Sequence, residues 1–137
     1  MKKMAVIAGG WHYASQFYES MISQKVPEGW EIDYYVIAHR SPENTNAISE
    51  KEAIRNYKGQ NRFILADKKL YEKVLSEQYL TDIGWEFLLE ENTYGDLEFF
   101  NQWKKHYDVE EYDLFFISHD DNLILSKELF TDLLENK

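Results

Sequence analysis

Several common features are missing from this chain of 137 residues, and each absence excludes a class of protein. There is no cysteine, which excludes a disulfide scaffold and a metal site built on thiolates. No apolar run reaches the length of a membrane span, and no secretory apolar region follows Met1. There is no internal repeat, low-complexity tract or interdomain linker. These absences predict a single cytoplasmic domain over residues 1–137, long enough to bury a substantial core.

Positive charge is scarce, above all in the second half of the chain. Residues 1–70 carry ten Lys/Arg and eight Asp/Glu, a net charge of +2, whereas residues 71–137 carry five and seventeen, a net charge of −12. Nucleic acid is therefore not expected as a partner, because the chain lacks the basic surface that neutralises phosphates. An anionic small ligand would need a metal ion or helix amino termini to offset the negative field. Alternatively, much of the acidic half is only a solvated surface.

Short apolar runs alternate with segments of helical spacing. The runs predict strands at 4–8, 32–38, 85–89 and 114–118, with a minor strand at 62–66. Two helices are predicted at 11–23 and 47–57, and three more are predicted to follow the N-caps Asp67, Asp96 and Ser126. The helix after Asp67 contains Leu70, Val74 and Leu75, and the helix after Asp96 contains His106. The pattern predicts an α/β fold of three layers (α/β/α) with a mainly parallel sheet in the strand order 3-2-1-4.

The most informative segment is 114–122, in which a wholly apolar run ends at Asp120 and Asp121. Such a run is typical of a strand buried on both faces of a parallel sheet, and ligands bind beyond the carboxyl ends of such strands. Two adjacent carboxylates are best tolerated when they are solvated or share a divalent cation, and their oxygens suit Mg²⁺ or Mn²⁺. The alternative is a loop in which the two aspartates only cap and turn the chain.

Other segments carry weaker signals. Gly9-Gly10 follows the first strand, where doubly wound folds contact a nucleotide, but the third glycine of the dinucleotide fingerprint is missing. Asn92 and Gly95 belong to a loop between strand and helix, which is either a tight connection or an approach to a phosphate or sugar. His119-Asp120 resembles the His-Asp pair of metal-dependent phosphohydrolases, but the further His and Asp metal ligands that usually accompany such a pair are not apparent. No nucleophile elbow, phosphate loop or His-Glu-x-x-His motif is present.

The order of these segments resembles the central stretch of family 2-type glycosyltransferases of the GT-A fold. In that family an Asn-x-x-Gly loop, here 92–95, opens a helix with a second asparagine, here Asn101. A strand of the type Tyr-Asp-apolar then delivers an acidic motif, here from Tyr112 to Asp121. The resemblance covers only the half of the family's fold that binds the nucleotide sugar. It implies a Rossmann-like half-domain, truncated before the half that binds the acceptor and carries the usual catalytic base.

The resemblance implies a metal-dependent transfer of sugar from a nucleotide-diphosphate sugar. Asp121, helped by Asp120, would hold Mn²⁺ or Mg²⁺ against the diphosphate. Gly9, Gly10, His39 and Arg40 would line the nucleotide side, together with the loop that contains Asn92 and Gly95. Two alternatives stay open: a GT-A-like module that binds nucleotide or a partner without catalysis, and a nucleoside- or nucleotide-processing α/β enzyme. The sugar, nucleotide, acceptor and oligomeric state are not specified by the sequence.

Overall fold

The computed structural model describes residues 1–42, 74–91, 98–120 and 126–135. The strands in this part are β1 (Lys2–Gly10), β2 (Trp30–Ala38), β3 (Trp85–Leu89) and β4 (Leu114–His119). The helices are α1 (Ser15–Ile22), α2 (Glu77–Ile83), α3 (Glu98–Lys104) and α4 (Leu129–Glu135), and a 3₁₀ turn covers Val109–Glu111. The predicted helix at 47–57, the strand at 62–66 and the caps Asp67 and Asp96 lie outside the described residues.

The four strands form one parallel sheet in the order β3-β2-β1-β4, which confirms the predicted α/β class and strand order. In the register, Gly9 is level with Ile37 on β2 and with His119 on β4. The prediction that β4 is buried on both faces is wrong. Phe115, Phe116 and Ile117 are only half-buried and Leu114 is exposed, and within the described chain β4 forms an edge of the sheet with a neighbour on one side.

Alternating residues of the central strand β1 divide the core between the two faces of the sheet. Met4, Val6 and Ala8 face one cluster, to which α1, α2 and α4 contribute. Ala5 and Ile7 face the other, which is built on Phe99 and Trp103 of α3. Helices therefore cover both faces, as the three-layer prediction required. Every residue from Met4 to Ala8 is buried to 1% exposure or less, which explains the unbroken apolar run in the sequence.

The structure differs from the predictions where strands pass into helices. β1 continues through Gly9 and Gly10, and α1 begins only at Ser15 because Tyr13 has a φ of 54°, which no α-helix contains. Val74 forms an isolated antiparallel bridge with Ala14 and is not helical.

Two further features of the helices also differ from the predictions. α2, which begins at Glu77, is a helix that was not predicted, and it is capped by Ser76, whose hydroxyl accepts a hydrogen bond from the Tyr79 N–H. It ends at Gly84, whose φ of 118° is the left-handed C-cap conformation that glycine adopts most easily. His106 follows the end of α3 instead of lying inside that helix. Among the described helices, none is long and apolar enough to cross a membrane.

Candidate functional site

Parallel topology brings the loops after β1, β2 and β4 together at the carboxyl edge of the sheet. Trp11 follows β1, His39 and Arg40 follow β2, and Asp120 follows β4. The His39 N–H donates to the Gly10 carbonyl oxygen at 3.0 Å, and the Arg40 Nε donates to the Trp11 carbonyl oxygen at 2.8 Å. This edge is the candidate functional site, because ligands of open α/β sheets bind beyond the carboxyl ends of the strands.

Among the acidic groups that the structure describes at this edge, Asp120 is the most buried, with 1% of its surface exposed. Its Oδ2 accepts hydrogen bonds from the N–H of Trp11 at 2.9 Å and of Tyr13 at 2.8 Å, and from the Tyr18 hydroxyl at 2.8 Å. Its Oδ1 accepts from the His12 N–H at 3.0 Å. Successive backbone N–H groups of this kind form a nest that binds an anion, and here the anion is the chain's own carboxylate.

The hydrogen bonds of Asp120 affect whether this residue can serve as one of the two predicted metal ligands. Both of its oxygens already have donors, so a cation would have to compete with four hydrogen bonds. Asp121, Asn92 and Gly95 lie outside the described residues. Within the part of the chain that the structure describes, no group of three His, Asp or Glu side chains is arranged to hold a metal ion. Of the two predicted ligands, Asp121 is the one on which a metal role now depends.

Two buried tyrosines complete the surroundings of Asp120. Burial, and then the negative charge of Asp120, raises the pKa of Tyr18 well above its ordinary value. The same two causes, in the same order, raise the pKa of Tyr13. Both phenols therefore stay protonated and act as donors: Tyr18 to Asp120, and Tyr13 to the Arg40 carbonyl oxygen. The sequence predicts Tyr13 only as part of a helix, since nothing in the local pattern indicates its contact with Arg40.

Arg40 is the positive charge that the described residues place at this edge. Its guanidinium lies over the Trp11 ring, with Cζ 4.1 Å from the ring centroid. Burial lowers the pKa of Arg40, while the negative charge of Asp120 opposes that effect. A guanidinium remains charged throughout the physiological range. Arg40 is thus a cation held in a fixed position, stacked on one ring and tied to the chain by its Nε.

Gly9 and Gly10 have a packing function that the sequence pattern does not indicate. A Cβ on Gly9 would lie 3.0 Å from the Phe99 ring, and one on Gly10 would lie 2.8 Å from the Val36 Cγ1 and 2.9 Å from the Tyr13 hydroxyl oxygen. The two glycines let Phe99 and Tyr13 cross the end of β1, one on each face of the sheet. A small residue at both positions is therefore explained without a ligand.

A second group of polar side chains lies on the α3 face of the same edge. The His39 Nε2 is 2.7 Å from the Gln102 Oε1, and the Gln102 Nε2 donates to the Glu91 carbonyl oxygen at 2.6 Å. The Phe99 ring lies between the rings of His39 and His119, with centroid distances of 6.5 and 5.4 Å. The position of Gln102 could not be predicted from the sequence, because one glutamine in an aromatic-rich helix gives no signal.

Comparison with known proteins adds no relative: no protein-family model, curated protein or solved structure matches the chain. The interpretation of the carboxyl edge therefore depends on its own geometry and on the resemblance described above.

Proposed function

We propose that this chain is the nucleotide-sugar-binding part of a metal-dependent glycosyltransferase of the GT-A type. The observation that supports the proposal most is the arrangement at the carboxyl edge. There the strand that leads into the acidic motif is tied, through Asp120, to the loop after the first strand. Arg40 stands beside the same loop. The parallel strand order 3-2-1-4 is compatible with this interpretation, although a fold alone does not define a function.

The proposal divides the two aspartates between two roles. Asp120 keeps the backbone of residues 11–13 in place, and so also positions Trp11 and the Arg40 stacked on it. Asp121 is the metal ligand, since hard cations such as Mg²⁺ and Mn²⁺ take one or two carboxylates and complete their shell with phosphate and water. A bound cation supplies charge stabilisation to the departing nucleoside diphosphate. Arg40 attracts the same diphosphate from the nucleotide side.

A non-catalytic module that binds a nucleotide or a partner is the second candidate. The observation in its favour is that Asp120, one of the two acidic residues, accepts hydrogen bonds from within the chain. A single remaining carboxylate would hold a cation weakly unless the ligand's phosphates help. Dependence of nucleotide binding on the metal therefore separates the two candidates.

The decisive experiment is calorimetric titration of the full chain with UDP- and GDP-sugars, with and without Mn²⁺. We expect Mn²⁺ to raise the affinity for one of them, because a diphosphate approaching a protein with a net charge of −10 is repelled unless a cation bridges them. Asp121→Ala should abolish that gain. Glu31→Ala is the matched control, since Glu31 is an exposed carboxylate near the amino end of β2.

The outcomes distinguish the roles clearly. Metal-dependent binding that is lost in Asp121→Ala and kept in Glu31→Ala supports the transferase half. Nucleotide binding without metal dependence favours the non-catalytic module. Equal binding by the wild type and Asp121→Ala removes Asp121 from the site.

A further inference from the structure

Gln102 is a buried polar residue whose two amide atoms are both used. Only 3% of its surface is exposed, and it projects from α3 toward the ends of two strands. Its Nε2 donates to the backbone carbonyl of Glu91, just beyond β3, and its Oε1 faces the Nε2 of His39, just beyond β2. Gln102 thus connects the carboxyl ends of neighbouring strands and touches a residue of the candidate site.

The chemistry of these contacts determines which atoms carry hydrogen. The carbonyl oxygen of Glu91 can only accept, so the amide group 2.6 Å from it is the NH₂ of Gln102. The other amide atom is therefore oxygen, which also only accepts. The His39 nitrogen 2.7 Å away must be the donor, and Nε2 carries the proton. A neutral imidazole has one N–H, so the Nδ1 of His39 presents a lone pair.

We propose that Gln102 is a positioning residue that holds neutral His39 in the Nε2–H tautomer, and that the Nδ1 of His39 accepts a hydrogen bond from an N–H or O–H group of the ligand. The tautomer follows from the contacts alone, whereas the ligand contact rests on the proposed function. The chemical class is a nucleoside, which offers such donors on its base and its ribose. An acceptor complements Arg40, which can only donate.

The surroundings of His39 favour a fixed ring over a freely rotating one. Its backbone N–H is bonded to Gly10, and its ring packs against Phe99 in an edge-to-face arrangement. Residue 39 continues β2 directly, so its backbone is held by the sheet. His39 directly follows the carboxyl end of β2 and is a partly exposed residue.

The first test is the tautomer of His39 in the free wild-type protein, read from long-range ¹H–¹⁵N NMR correlations of the imidazole at about pH 8, where an ordinary histidine is neutral. We expect a protonated Nε2, an unprotonated Nδ1, and an Nε2 proton that exchanges slowly with solvent because it is bonded to Gln102. A wild-type spectrum with the proton on Nδ1 overturns the proposal. This measurement needs no variant and no ligand.

The second test removes the positioning residue. Gln102→Met keeps the size of the side chain and deletes both hydrogen bonds, so the Nε2 proton should exchange faster and some Nδ1–H tautomer should appear. Gln24→Met is the matched control. Gln24 is also buried and uses both amide atoms, with its Nε2 donating to the Ser126 carbonyl at 2.5 Å and its Oε1 accepting from the Leu129 N–H at 2.9 Å.

The control separates positioning from stability. Both variants should lower the free energy of unfolding, but only Gln102→Met should change the signals of His39. An unchanged tautomer and unchanged exchange rate in folded Gln102→Met would overturn the positioning role. If that variant does not fold, the wild-type spectrum decides.

The third test adds UDP or GDP with Mg²⁺, which does not broaden NMR signals, to the wild type. We expect the Nδ1 resonance of His39 to move upfield as it accepts a hydrogen bond. 3-Methyl-UDP and 2′-deoxy-UDP then separate a base N–H from a ribose hydroxyl as the donor. Nucleotide binding that leaves Nδ1 unmoved overturns the acceptor role. If neither nucleotide binds, the proposed function fails, while the tautomer of the free protein still decides the role of Gln102.

Discussion

At the scale of single residues, Asp120 explains why the chain turns sharply after β1. Backbone N–H groups at Trp11, His12 and Tyr13 converge on one carboxylate, and this arrangement requires the left-handed conformation of Tyr13. A buried carboxylate is stable only when its lone pairs have donors, and here the backbone and Tyr18 supply them. Asp120, which the sequence predicts as the helper of Asp121 in a metal site, thus holds the backbone of residues 11–13 in place.

Replacing Asp120 should therefore cost stability. We expect Asp120→Ala to lower the free energy of unfolding by about 3 kcal/mol or more, because three backbone N–H groups and a buried phenol lose a charged acceptor. Urea unfolding followed by tryptophan fluorescence measures the change. Asp113→Ala is the control, since the Asp113 carboxylate accepts one exposed hydrogen bond from the Lys3 N–H and should contribute less than about 1.5 kcal/mol. Equal losses for the two variants would contradict the structural role of Asp120.

The charge of Arg40 should matter for ligand binding more than for folding. We expect Arg40→Met to weaken nucleotide binding about tenfold at low salt, with a smaller loss as salt screens the charge. Lys2→Met is the control, because Lys2 also lies over a tryptophan, Trp30, at 5.7 Å but at the amino edge of the sheet. Calorimetric titration at two salt concentrations measures both variants. A similar loss of nucleotide affinity in the two variants would show that binding depends only on the net charge of the protein and not on the position of Arg40.

At the scale of secondary structure, strands could be predicted well and helix boundaries poorly. Residues 85–89 form a strand with the predicted bounds, and the other three strands that the structure describes are one to four residues longer than predicted. Apolar runs indicate strands directly, although the run of β4 is only partly buried. The residue at which a helix begins depends on partners that are distant in sequence. α1 begins later than predicted because residues 11–13 are hydrogen-bonded to Asp120. Leu75 lies outside α2, and its N–H donates to the Tyr13 carbonyl oxygen at 2.9 Å.

The end of β1 offers a test of close packing between elements. Gly9→Ala should lower the free energy of unfolding by about 1–3 kcal/mol, because the new methyl group would lie 3.0 Å from the Phe99 ring. In a Phe99→Leu background the same change should cost less, since the smaller side chain can give way. Thermal or urea unfolding of the four proteins gives the coupling energy. An identical cost in both backgrounds would mean that Phe99 is not the obstacle.

At the scale of the whole molecule, parallel topology made the position of the site predictable but not its detail. The convergence of Trp11, Arg40 and Asp120 follows from strand order alone. The contact between Gln102 and His39 does not, because it depends on how α3 lies across the ends of β2 and β3. The hydrogen bonding of Asp120 to residues 11–13 likewise could not be predicted from the strand order.

Buried phenols should make the whole fold sensitive to alkaline pH. Burial raises the pKa of Tyr34 to about 12, and the pKa of Tyr18 is also raised. An unfolded tyrosine ionises near pH 10, so the unfolded state releases protons first. Stability should be unaffected by these groups below pH 10 and should fall as the pH rises toward 12. Urea unfolding between pH 8 and 11 measures this, and Tyr34→Phe should show a shallower fall. A stability that rises above pH 10 would contradict it.

The measurement that tests the central claim most directly is the location of a bound Mn²⁺ ion, read from paramagnetic broadening of amide NMR signals in the presence of a nucleotide sugar. The account predicts that Trp11, Arg40 and Asp120 broaden first. The amides of Lys2 and Trp30, about 25 Å away at the amino edge, should stay sharp. Asp121→Ala should remove the effect. Broadening centred on the amino edge, or unchanged in Asp121→Ala, would contradict a metal-dependent nucleotide site at the carboxyl ends of the strands.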